Sequence, residues 1–119
     1  MNAAARTVVL TDPDESALRE CGRMLHELSP ADELYLFSDP EETLAFLREK
    51  RADLLLSETD MPGLTGFELM EWVRLLQPWM RVVFLTEHAE YAEEAMRRKA
   101  EDFLLKPVSY EKLLHALRE

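Results

Sequence analysis

A chain of 119 residues with 14 Lys+Arg against 24 Asp+Glu carries a net charge of -10, which repels nucleic-acid phosphates and argues against direct nucleic-acid binding. Hydrophobic content of 47% with 32% charged residues fits one globular domain over 1–119, long enough to bury a core without a metal or disulfide staple. The single cysteine, Cys21, excludes an internal disulfide, and without a long apolar segment or signal-peptide pattern no membrane partner is expected and a cytoplasmic location is the default.

Thr7 to Leu10 is a β-branched and apolar run closed by Thr11-Asp12-Pro13, which suits a first buried strand. Leu18, Cys21, Leu25 and Leu28 then recur at three- and four-residue steps, the spacing of one helix face, and Pro30 ends that helix. Asp12, Pro13 and Glu15 fit its N-cap, first-turn proline and capping-box glutamate. Leu34 to Phe37 reads as a second strand. Asp39-Pro40-Glu41-Glu42 opens a helix that buries Leu44 and Leu47.

Next comes Ala52 to Gly66, where three leucines end abruptly in Glu58 and a Met61-Pro62-Gly63 turn. An apolar run of this length, from Asp53 to Ser57, reads as a buried strand. Thr65 and Glu68 have capping-box spacing, and the helix they open carries Leu69, Val73 and Leu76 until Pro78. Arg81 to Thr86 is a fourth strand, Tyr91, Ala92, Ala95 and Met96 a helical stripe, and Phe103 to Leu105 a fifth strand. Leu113, Leu114 and Leu117 mark a last helix after Ser109.

Five strands alternating with five helices predict an α/β fold, a flavodoxin-like doubly wound five-stranded parallel sheet with helices on both faces. In such sheets the chemistry lies at the carboxyl ends of the strands. The residues there are Asp12, Glu58, Thr86 and Lys106, all polar.

Taken together, these residues resemble the receiver domain of two-component response regulators across nearly the whole chain. The carriers are Asp12, Met61-Pro62-Gly63 with Gly66, Thr86, and Lys106-Pro107, in that order. Glu90-Tyr91-Ala92-Glu93-Glu94-Ala95 and Asp102-Phe103-Leu104-Leu105-Lys106-Pro107 are most similar to receivers of LytTR-type regulators. The resemblance implies a phosphoryl group passed from a histidine kinase to an aspartate after the third strand. It also implies magnesium, held by that aspartate, an acidic pair after the first strand and a backbone carbonyl. Phosphoryl transfer is mostly positioning and electrostatic stabilisation, and hard oxygen ligands suit magnesium. Thr86 and Lys106 would bind phosphoryl oxygens, Phe103 is the aromatic switch candidate, and Lys106-Pro107 the expected cis peptide.

Two positions depart from that pattern. Glu58 stands at the phosphoacceptor position, and one added methylene moves its carboxylate outward by roughly 1.5 Å. Misplacement by about 1 Å can cost on the order of a hundredfold in rate, so phosphorylation at Glu58 is expected to be poor or absent. Pro13 replaces the second member of the acidic pair and supplies no carboxylate. Asp14 and Asp60 complete the acidic pocket, and Asp12, Asp14 and Glu58 are the candidates for a weak magnesium site. No cofactor is otherwise expected. The longer Glu58 side chain is expected to reach Lys106, and the Thr86 hydroxyl, without any phosphate.

The sequence thus points to an atypical receiver that is not an enzyme and acts through protein contacts. Its partner would be another protein or an attached output domain, met through the fourth helix, fifth strand and last helix, with a homodimer as a further form. The competing readings are a phosphoreceiver with its acceptor relocated to Asp60 or Asp14, a Glu58 engineered as an activation mimic, and a structural dimerisation module. His26, His88 and His115 show no ligand spacing for zinc. Cys21 lies on an apolar face and reads as inert core, and Arg97, Arg98 and Lys99 form a basic run on the fourth helix amid acidic neighbours.

Overall fold

The computed structural model describes residues 5–118. Its strands are β1 (Thr7–Thr11), β2 (Glu33–Phe37), β3 (Leu54–Ser57), β4 (Arg81–Thr86) and β5 (Asp102–Leu105). Its helices are α1 (Glu15–Leu28), α2 (Pro40–Glu49), α3 (Gly66–Leu76), α4 (Ala92–Arg97) and α5 (Tyr110–Arg118). The strands form one parallel sheet in the order β2-β1-β3-β4-β5, the doubly wound flavodoxin-like arrangement. Its switch point falls between β1 and β3, so the loops after those strands diverge to opposite faces and leave a crevice.

The near-continuous apolar runs of the inner strands follow from burial on both faces. Alternation divides them. Val9, Leu55, Val82 and Phe84 pack with Leu44 and Leu47 of α2, with Phe67, Leu69, Met70 and Val73 of α3, and with Ala95 of α4. Val8, Leu10, Leu54, Leu56, Val83 and Leu85 turn the other way, onto Leu18, Cys21 and Leu25 of α1 and Leu113, Ala116 and Leu117 of α5.

Several expected details change. Asp12 is not the α1 N-cap, because strand pairing continues through it: its N–H donates to Phe37 O at 3.0 Å. Asp14 caps the helix instead, accepting from the N–H groups of Ser16 and Ala17. Leu76 and Met96 are exposed, since each falls beyond the buried stripe of its helix. Tyr91 lies in a short 3-10 turn (Ala89–Tyr91) ahead of α4. The basic run is mostly outside α4, which stops at Arg97 as Lys99 takes a left-handed φ of 62°. Arg74 of α3 holds that turn through the carbonyls of Arg98 and Lys99. The caps at Asp39 and at Thr65 with Glu68 form as the sequence predicts.

One buried polar side chain ties the lower edge of the sheet together. Gln77, at the end of α3, donates through Nε2 to Leu47 O at 2.7 Å and Lys50 O at 2.8 Å. Its Oε1 accepts from Ala52 N–H at 2.9 Å. The last carbonyls of α2 and the approach to β3 are therefore satisfied from α3. Gln77→Leu leaves these three backbone groups without a partner and is expected to lower unfolding stability by about 3 kcal/mol, measured by urea denaturation.

Candidate functional site

The carboxyl ends of β1, β3, β4 and β5 bring Asp12, Glu58, Thr86 and Lys106 together. Glycine makes the close packing around Glu58 feasible. Gly66 opens α3 directly against the β3–α3 loop, and a Cβ there would stand 2.2 Å from the Glu58 carbonyl oxygen. Gly63 adopts φ +84°, which side-chain-bearing residues rarely adopt, and so completes the turn after Met61-Pro62.

The Lys106 ammonium lies 2.8 Å from Glu58 Oε1 and 2.6 Å from Asp12 Oδ2. Both acids are buried and Lys106 is partly buried, so the three charges sit at the floor of the crevice. Lys106 approaches from the β5–α5 loop, where its peptide bond to Pro107 is cis. The other Glu58 oxygen, Oε2, accepts from Thr59 N–H at 2.7 Å, Asp60 N–H at 3.3 Å and the Thr59 hydroxyl at 3.1 Å. Thr59 Oγ1 is also 2.9 Å from Thr86 Oγ1, which accepts from His88 N–H at 3.1 Å. A hydroxyl has one proton, so when Thr59 donates to the carboxylate, Thr86 donates to Thr59. Thr86 thus reaches Glu58 through Thr59.

Burial pushes the Glu58 carboxyl up, but the Lys106 hydrogen bond and charge, the nearby Thr86 hydroxyl and Thr59 N–H together hold it below the usual carboxylate value. For Lys106, burial pulls the ammonium down, and the bonds and charges of Asp12 and Glu58 raise it above the usual lysine value by more. Glu58 and Lys106 therefore both favour their charged forms.

Not every expected residue joins it. Asp14 is exposed and spends Oδ1 on the first turn of α1, while its N–H donates to Asp12 Oδ1 at 2.9 Å. Asp60 offers its backbone to Glu58, but its carboxylate faces outward, 3.2 Å from His88 Nε2. It also stands beside the Tyr91 hydroxyl, whose pKa it raises. Phe103 is partly buried against the α2–α3–α4 core. The donor set fits magnesium poorly: Pro13 has no side-chain oxygen, Asp14 is a helix cap, and Asp12 and Glu58 share the Lys106 ammonium. Among the described residues, no three His, Cys, Asp or Glu side chains group as metal ligands.

Thr59 is the residue that sequence reasoning passes over. Its only signal is its place directly after the strand-end acid, and only the structure shows it buried between Glu58 and Thr86.

Removing the cation tests the trio. Lys106→Met leaves two buried carboxylates facing one another and is expected to cost about 2 kcal/mol at neutral pH, read by urea denaturation. The lowered Glu58 pKa means that its stabilising contribution is present above the ordinary glutamate range and lost as pH falls through the folded value. Glu58→Gln should therefore flatten the acid side of the stability profile. Lys106 contributes fully below the ordinary lysine range and loses its contribution as pH rises through its raised folded value.

The fold recurs among known proteins. The family model described as "Response regulator receiver domain" matches residues 8–118. The transcriptional regulatory protein BtsR of Salmonella typhi is 35% identical over 119 residues, covering 93% of this chain and 48% of that protein. The positive alginate biosynthesis regulatory protein of Pseudomonas aeruginosa is 30% identical over 113 residues, covering 94% of this chain and 46% of that protein. The chain thus spans about half the length of these curated relatives. A crystal structure of a response regulator receiver domain protein from Clostridium thermocellum superposes with a TM-score of 0.86 at 25% identity, covering 95% of this chain and 91% of that one. With the family match running from β1 to the last turn of α5, this chain belongs to the response regulator receiver domain family.

Proposed function

We propose that this receiver domain transmits a signal by protein contact without aspartyl phosphorylation, using the Glu58–Lys106 pair as a standing substitute for a phosphorylated acceptor and its lysine. The observation that carries this reading is the Lys106 ammonium at 2.8 Å from Glu58 Oε1, with Asp12 Oδ2 on its other side at 2.6 Å. A phosphoaspartate carries nearly two negative charges at neutral pH, and Glu58 with Asp12 presents two carboxylates to the same cation. Glu58 is held on both oxygens, so a new bond to phosphorus would require it to leave its present partners. Pro13 removes a carboxylate that the family pattern would use for magnesium.

From this pocket the contact route runs outward through Thr59, Thr86 and His88 to the β4–α4 loop. The α4–β5–α5 face offers a partner exposed Met96 and Leu105. The longer regulators that the chain resembles support an output domain, of LytTR type on the local wording, or a separate protein as the partner. This reading places the domain in the cytoplasm. No helix among the described residues is long and apolar enough to cross a membrane.

Incubation with acetyl phosphate and magnesium, followed by intact mass, is expected to show no added phosphoryl group on the wild-type chain. Glu58→Asp alone should stay unmodified, and Glu58→Asp with Pro13→Asp should gain one phosphoryl group. Stable incorporation into the wild-type chain, whether at Glu58, Asp60 or Asp14, overturns the proposal.

A further inference from the structure

A cavity of about 320 Å³ opens between α1 and the β5–α5 loop, on the α1 side of the contact between Asp12 and Lys106. Its origin is side-chain size. Ala17, Cys21 and Met24 share one side of α1 and face Leu85 of β4 and Val108 of the loop, and the two small residues leave the gap between them unfilled. Met24 is an adaptable wall, because an unbranched thioether changes rotamer easily. Burial first, and the Asp12 charge second, push the Cys21 thiol up to about 12, so it stays neutral and adds to the apolar lining. The volume falls within the range of small-ligand pockets, roughly 300–1,000 Å³, whose walls are mostly apolar with a few charged groups.

The charged groups select the ligand. Three carboxylates, of Asp12, Glu20 and Glu87, and one ammonium, of Lys106, border the cavity. Lys106 is already shared by Asp12 and Glu58, so an anionic ligand finds no free cation there. Arg23 holds Glu20 at 2.6 Å. The Glu87 carboxylate is exposed and has neither hydrogen bond nor ion pair among the described residues. A cation therefore meets an unpartnered acid, in a chain whose net charge of -10 favours its approach. A bare metal ion would leave the apolar walls of Cys21, Met24, Leu85 and Val108 uncovered. A small amine with a compact apolar body complements both parts.

We infer that the cavity between α1 and the β5–α5 loop is a binding site for a small organic amine, its apolar body against Cys21, Met24, Leu85 and Val108 and its ammonium at Glu87. A ligand so placed lies beside Asp12 and Lys106, the two groups that this cavity shares with the Glu58 pocket.

Three probes of one shape test the site: phenethylamine, phenethyl alcohol and hydrocinnamate, each titrated into the isotope-labelled 119-residue chain and followed by amide NMR shifts. Phenethylamine is expected to bind saturably and to shift the amides of Ala17, Cys21 and Val108. The alcohol should bind about threefold more weakly, as for one exposed ion pair, and hydrocinnamate should not saturate. Added salt should narrow the gap between amine and alcohol. Glu87→Gln, at an exposed position, should bring the amine to the alcohol's affinity. Ala17→Phe fills the gap and should abolish amine binding, with the dispersion of the amide spectrum showing that the variant is folded; if it is not, Glu87→Gln decides. Absence of amine binding overturns the inference. So do equal affinities for the three probes, shifts confined to another face, or amine binding that Glu87→Gln or a folded Ala17→Phe leaves unchanged. No phosphodonor is present in these titrations, so their failure and that of the phosphorylation test are separate results.

Discussion

Two buried carboxylates from separate strands share one ammonium, and the crevice is arranged around that balance. Asp12 and Glu58 would repel each other in a region from which most water is excluded, and Lys106, carried in on the β5–α5 loop, offsets the repulsion. A buried charge is costly unless paired and hydrogen-bonded, and these partners meet both conditions. Glu58 Oε2 is served by Thr59 and the Asp60 backbone, and Asp12 Oδ1 by the Asp14 N–H. Among the described residues no buried side-chain nitrogen or oxygen lacks a partner.

The same balance connects the pocket to the rest of the domain. Thr59 and Thr86 join the Glu58 carboxylate to the start of the β4–α4 loop, and His88 there faces Asp60 and Glu90. Tyr91 follows in the 3-10 turn, its ring against both His88 and Phe67, and Phe67 packs on Phe84 of β4. Arg98 lies over Phe67 and pairs with Glu71 and Glu94, which links α3 to α4. A change in the Glu58–Lys106 pair therefore has a packed route to two helices.

Most of the architecture was legible because the strongest local signals agreed with the global fold. The leucine run of β3 has one stable place, a strand covered on both faces, and Pro40, Thr65 and Glu68 start their helices where local chemistry says they should. The misreadings came where local and tertiary forces differ. Asp12 has the right type for a helix cap, yet β2 and Lys106 hold it at the end of β1. Lys99 bends away from α4 because Arg74, distant in sequence, captures the turn's carbonyls. Nothing local in the sequence announces that Gln77 will bind the last carbonyls of another helix.

The order of Asp12, Glu58, Gly66, Thr86 and Lys106 along the chain, together with the strand–helix alternation, determined the family, the fold and the position of the pocket. Residue type alone also determined that the acid after β3, Glu58, is one methylene longer than an aspartate and that Pro13 brings no carboxylate. The tertiary structure decided which charges meet. Lys106 lies 48 residues from Glu58 and 94 from Asp12, and no local rule sets those distances. It also decided that Asp14 and Asp60 face elsewhere and that Thr59 becomes the link to Thr86. Periodicity settles which elements form, because it follows from backbone geometry. Side-chain pairing across a crevice depends on how four loops converge, and only the assembled sheet sets that.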